Sequence, residues 1–229
     1  HITKTCDYEF LETIKDENLI SIYKIQKSVI GRIDELTNIL KECNIPNEII
    51  TEILDKYIPK LIPAGTKGVI RGLRFNKYIM EKINNFVKLK DKKTFEIQFE
   101  KQHNKYKMSE IPDWYIYNKK TDAILIGMNQ LDFWSGGQQL NRGSKYILES
   151  NLLNTTYTRD KDECISLVRS LSETKRKNTK IKILCVICNY TQLKSQNKLY
   201  KLFHFGFKNK KLCYTTELEH IIYKYFELE

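Results

Sequence analysis

Along the first sixty positions the apolar residues recur at the three- and four-residue spacing of a helix face. Ile14, Ile20, Ile22, Ile25 and Ile30 come first, then Ile33, Leu36, Ile39 and Leu40. Asn44-Ile45-Pro46 interrupts this pattern, and Ile49, Ile50, Ile53 and Leu54 restart it, with Pro46 near a first turn where its missing N–H costs nothing. Residues 8–60 are therefore expected to be helical. Pro63-Ala64-Gly65-Thr66-Lys67-Gly68 reads as a turn, and Ile70, Leu73, Phe75, Ile79, Ile83, Phe86 and Val87 predict a helix over 69–88. Thr94 to Glu100 then alternates apolar with polar residues, the period of a strand with one buried face. Two further strands, 112–118 and 122–130, flank Lys119-Lys120-Thr121 as a hairpin. Helices are expected at 138–150, 160–174 and 217–226, and a buried strand at 180–189, while Phe203 to Phe207 reads as strand or core.

The order helix, three antiparallel strands, helix, strand predicts an α/β layer on a mixed sheet. Residues 1–62 form an N-terminal helical region, packed on the main domain or on a second subunit. Residues 63–229 form the α/β core with a C-terminal extension. Composition agrees: 229 residues that are 41% hydrophobic and 29% charged exclude a disordered or low-complexity chain. No run approaches the roughly 18 to 20 apolar residues of a membrane helix, so no membrane association is expected. Six cysteines are too sparse for a disulfide framework, which points to a reducing, intracellular home in the cytoplasm or nucleoid. Cys185-Val186-Ile187-Cys188 has zinc-knuckle spacing, but its apolar setting reads as buried thiols.

Charge changes the picture more. With 39 Lys and Arg against 28 Asp and Glu, the net charge is +11 and the pI is near 9.2, which favours an anionic partner, nucleic acid ahead of membrane. Lys67, Arg71 and Arg74 cluster at the start of the 69–88 helix, whose amides add to the attraction for phosphate. After the hairpin, Gly136-Gly137 leads into Gln138, Gln139, Asn141, Arg142 and Lys145, side chains suited to pairing with base edges and phosphates.

Three stretches together resemble the PD-(D/E)xK nuclease superfamily, and more narrowly type II restriction endonucleases. They are Lys67 to Asn76, Pro112-Asp113 entering the hairpin, and Gly127-Met128-Asn129-Gln130 ending it, followed by the Gly136 to Gly143 run. The likeness spans roughly residues 63 to 190. It implies a restriction-endonuclease-like mixed sheet flanked by helices, and a Mg²⁺-dependent, site-specific endonuclease that hydrolyses double-stranded DNA as a homodimer, a two-fold axis matching a palindromic site. Asp113 matches the first acid of the motif. The second acid and the lysine are replaced by Gly-Met-Asn-Gln. Strand parity puts Asn129 at the site, whereas a bulge after Met128 would put Gln130 there; either amide orients water, and neither brings negative charge to a metal. The missing carboxylate is then expected from Glu81 on the helix, from Glu100 next, or from Glu96 or Asp132. The alternative is a catalytically inactive DNA-binding module on the same scaffold.

Overall fold

The computed structural model describes residues 7–106, 108, 110–132, 181–189, 198–208 and 210–228. The helices expected at 138–150 and 160–174, and with them Gln138, Gln139, Asn141, Arg142 and Lys145, lie outside the described residues. Two compact units divide the chain, Tyr8–Arg74 and Phe75 onward joined by Asp7. The division falls inside a helix and not at Pro63.

The first unit holds α1 (Tyr8–Thr13), α2 (Asp16–Lys24), α3 (Lys27–Glu42), α4 (Asn47–Leu61) and the beginning of α5 (Ala64–Asn85). Leu19, Tyr23, Val29, Ile58, Ile62 and Ile70 close on one another as its core, whereas Ile25, Ile30, Ile39 and Ile49 of the helical spacing read from sequence are exposed. The turn expected at Pro63 to Gly68 is instead the first turns of α5. Ile62 is extended, as a residue before proline prefers, and the Pro63 carbonyl accepts the Lys67 amide at 3.1 Å to open the helix. Gly65, Gly68 and Gly72 have open space where a Cβ would sit, so these glycines mark an exposed helix face and not a break.

The second unit is built on a sheet of five strands in the order β1-β2-β3-β4-β5: β1 (Phe95–Phe99), β2 (Trp114–Asn118), β3 (Ala123–Asp132), β4 (Ile181–Asn189) and β5 (Leu212–Tyr214). β2 runs antiparallel to both β1 and β3, while β4 runs parallel to β3 and β5 parallel to β4. The fold is thus mixed α/β. The segment 203–207 belongs to a helix, α6 (Lys198–Lys208), where Phe203 is buried and His204 and Phe205 are exposed. A last helix, α7, spans Leu218–Tyr225. Cys185 and Cys188 both fall within β4, and Cys213 on β5 is a buried free thiol. No helix among the described residues is long and apolar enough to cross a membrane.

One face of the hairpin packs Ile124, Ile126 and Met128 with Tyr115, Tyr106 and Met108, the last two supplied by the β1–β2 connection. Gln102 pins that connection down: its amide donates to the Met108 and Glu110 carbonyls, and its oxygen accepts the Met108 amide. Lys105, Tyr106 and Tyr117 all donate to the Asp122 carboxylate. His103 is buried among the rings of Tyr106, Tyr115 and Tyr117, and its Nδ1 accepts the amides of Lys105 and Tyr106. Burial pushes its pKa below the ordinary 6.5, with Glu96 pulling up, Lys105 down and Asp122 up. The unfolded chain therefore takes up this proton first as pH falls, so the contribution of His103 is whole above 6.5 and decays below it. Urea unfolding midpoints should fall as the pH is lowered below that value. A His103→Gln variant should lose that slope; an unchanged profile would place the titration elsewhere.

Candidate functional site

The antiparallel ladder of β1 and β2 ends where the Glu100 amide donates to the Asp113 carbonyl at 2.9 Å. Glu100 reaches that rung in a left-handed conformation, φ 48°, which turns the chain out of β1. The same parity makes Trp114, Ile116 and Asn118 the residues of β2 whose backbone faces β3, with Trp114 opposite Gly127. One rung further, residue 112 would pair with Asn129. Pro112 has no N–H to give. The Asn129 amide turns instead to the Asp113 side chain, donating to Oδ2 at 2.6 Å. The Asp113 side chain thus holds the acceptor place that the residue 112 carbonyl would have in a continued ladder, while the proline withholds the donor of the same rung.

A closed ring of hydrogen bonds follows from that contact. The Trp114 indole N–H can only donate, and it donates to Asn129 Oδ1 at 3.0 Å, which fixes the orientation of the Asn129 amide. Asn129 Nδ2 then donates to Asn76 Oδ1 at 3.0 Å, and Asn76 Nδ2 donates to Asp113 Oδ1 at 3.0 Å. Glu100 Oε1 lies 3.4 Å from the same Asn76 nitrogen. One helix residue, one residue leaving β1, one entering β2 and one on β3 are therefore held at a single point, with two carboxylates sharing an amide donor. Trp114 is fully buried and lies over Gly127 so closely that a Cβ there would overlap its ring. Gly127 is the condition for the indole to reach Asn129.

Among the sequence-predicted residues, Asp113 and Asn129 meet here. Pairing of β3 with β4 runs unbroken from Ile124 to Asp132, so there is no bulge after Met128. Gln130 is buried and, by strand alternation, points to the face opposite Asn129. Glu81 is five positions beyond Asn76, about 140° around the helix. Its side chain is 58% exposed and its ion pair is with Lys77 at 3.9 Å. The second carboxylate at the ring is Glu100 and not Glu81. Glu96 is engaged elsewhere, accepting from the Tyr115 hydroxyl at 2.5 Å. Asp132 lies on β3, its side chain outside the described residues. Asn76 and Trp114 were not singled out from sequence as site residues. The available signal for Asn76 was an amide beside the buried stripe Phe75, Ile79 and Ile83 of α5.

The expected phosphate anchors on α5 are corrected by their surroundings. Arg71 is 2% exposed, donating to the Ile14 carbonyl at 2.9 Å and to Asp16 Oδ1 at 2.7 Å. Lys67 donates to Asp16 Oδ2 at 2.9 Å. Burial opposes charge on Asp16, yet the Lys67 and Tyr23 hydrogen bonds and the charges of Lys67 and Arg71 hold its carboxyl below the usual range. These two cations are internal struts of the helical unit, spent on one carboxylate. Arg74 is half-buried, and its Nε has no hydrogen-bond partner among the described residues. Lys67→Met should therefore cost about 1 kcal/mol of stability and leave the salt dependence of any DNA binding unchanged, whereas a phosphate contact would make the log-log slope shallower by about one unit. Fluorescence anisotropy across a salt series reads the difference.

Asp113 and Glu100 bring two carboxylates, the oxygen ligands that hard divalent cations take, to the same Asn76 nitrogen. The two Asn side chains bring amides and no charge to this point. Among the described residues no group of three or more His, Cys, Asp or Glu is placed to hold a metal. No protein-family model, no curated protein and no solved structure matches this chain.

Proposed function

We propose that this protein is a Mg²⁺-dependent endonuclease that hydrolyses phosphodiester bonds of double-stranded DNA at a short site, acting as a homodimer in the manner of type II restriction enzymes. The observation that carries this reading is the meeting of Asp113 and Glu100 at Asn76, at the point where the Pro-Asp pair enters β2. In this reading Asp113 and Glu100 would hold Mg²⁺, which when bound would supply Lewis-acid activation of water and neutralisation of developing charge, and Asn129 would position the water in place of the absent lysine. The charge of +11 supplies general attraction for the DNA backbone. Incubation with supercoiled plasmid in Mg²⁺, with EDTA as control, should give metal-dependent discrete products.

The second reading, a DNA-binding module without catalysis, is favoured by the neutral Asn129 in the ring and by the absence of a third acid beside Asp113 and Glu100 among the described residues. Plasmid that is retarded but intact under every divalent metal would select it.

A further inference from the structure

β1 lies at one end of the strand order, and its rungs with β2 fix which of its backbone groups face outward. The Lys119 amide donates to the Thr94 carbonyl and the Glu100 amide to the Asp113 carbonyl, so Thr94, Glu96, Gln98 and Glu100 are the inward-bonding positions. Phe95, Ile97 and Phe99 therefore direct their carbonyls away from β2, and Ile97 and Phe99 their N–H groups as well, the Phe95 amide being taken by the Asp91 carbonyl at 2.8 Å. Among the described residues no strand pairs with this edge. A cavity of about 630 Å³ opens along it, floored by Ile83, Phe86 and Leu89 and by β1 itself. Three exposed lysines, Lys90, Lys92 and Lys119, rim the cavity, with Glu96 on the strand the carboxylate among its lining residues.

We propose that this edge is a docking groove for an extended acidic segment of a partner protein, which adds to the sheet as a sixth strand beside β1. Outward backbone groups at alternate positions supply the hydrogen bonds of strand addition, the apolar floor takes one side chain of the segment, and the lysine rim pairs with flanking carboxylates. Charge complementarity decides the occupant. A second copy of the chain fits less well, because antiparallel pairing of β1 with itself about Ile97 sets Glu96 against Gln98 and offers the lysine rim no carboxylate beyond Glu96. A nucleic acid strand would use the lysines but would leave the Ile97 amide and carbonyl without their strand partners.

The probe is a fluorescein-labelled decapeptide alternating valine with glutamate, titrated against the full chain in polarisation. Three comparisons accompany it: the same peptide with lysine for glutamate, the same peptide N-methylated at alternate backbone nitrogens, and an oligothymidine of equal length. The acidic peptide should bind. The lysine and N-methylated peptides should bind at least about fivefold more weakly, the worth of one net hydrogen bond or ion pair. Ile97→Pro removes an N–H that β2 does not use, and the exposed triple change Lys90→Glu, Lys92→Glu, Lys119→Glu reverses the rim; each should weaken acidic-peptide binding by the same factor or more. If Ile97→Pro fails to fold by circular dichroism, the N-methylated peptide carries the backbone arm alone. No binding of the acidic peptide, binding indifferent to N-methylation, or full displacement of the peptide by oligothymidine would each overturn the proposal.

Discussion

Replacing Gly127 with alanine is expected to destabilise the protein by about 3 kcal/mol or more, at the upper end of the range for overpacking a core. The added methyl would lie within the Trp114 indole, a side chain with no exposed surface and neighbours on both strands. The ring cannot swing away freely, because its N–H holds Asn129 Oδ1 at 3.0 Å and through it the whole Asn76–Asp113 ring. Urea denaturation of the wild type and Gly127→Ala measures the loss. A double-mutant cycle gives it a cause: in a Trp114→Leu background the alanine should cost far less, since the atoms it overlaps are gone. Equal costs in both backgrounds would mean that the strain arises from the backbone and not from the indole.

Asp113→Asn is expected to lower Mg²⁺-dependent cleavage by about 10³-fold, the scale seen when one charge-stabilising group is taken from a site. It also removes a structural acceptor. Both carboxylate oxygens now receive N–H donors, from Asn76 and from the Asn129 backbone, and an amide would turn its NH₂ toward one of them. A stability loss of about 1 to 2 kcal/mol should accompany the loss of activity, and thermal unfolding with plasmid nicking on the same preparations separates the two. Glu100→Gln should impair cleavage strongly with little change in stability, because its carboxylate is at the 3.4 Å limit of its contact with Asn76. Glu81→Gln, on an exposed turn facing Lys77, should leave the rate unchanged. If Asp113→Asn cleaves as fast as the wild type, the chemistry resides elsewhere in the chain.

The sheet was legible because alternation is a local signal. Ile124, Ile126 and Met128 announce one face of β3, and the same parity put Asn129 on the face where the structure finds it bonded to Asn76 and Asp113. Signals that depend on distant partners were not legible. Lys67 and Arg71 looked like free cations at a helix start, since nothing near them reveals that Asp16, some fifty positions earlier, receives both. Glu81 was plausible by its place on the right helix, but position along a helix is not position around it, and Asn76 holds the angle that faces Asp113. The glycines at 65 and 68 read as a turn because their backbone freedom is a matter of residue type, whereas their open surroundings in α5 are a matter of packing. For Phe203 to Phe207 the core reading holds at Phe203, and only the strand alternative gives way to a helix, because five residues are too few to separate a helix period from a strand.

β3 is ten residues long and β2 only five, so from Met128 onward β3 is held by β4 on one side without β2 on the other. The Asp113 carboxylate closes the first of those open rungs by receiving the Asn129 amide. Under the proposed function, sheet integrity and site chemistry would draw on the same carboxylate. A chain that abandoned the chemistry would still have reason to keep an acceptor at this position, and one that improved the chemistry by freeing the carboxylate would fray its own sheet. Persistence of this aspartate through drift is thus ambiguous testimony about activity, whereas Glu100, which the ladder does not need for its side chain, is the residue whose fate would track catalysis alone.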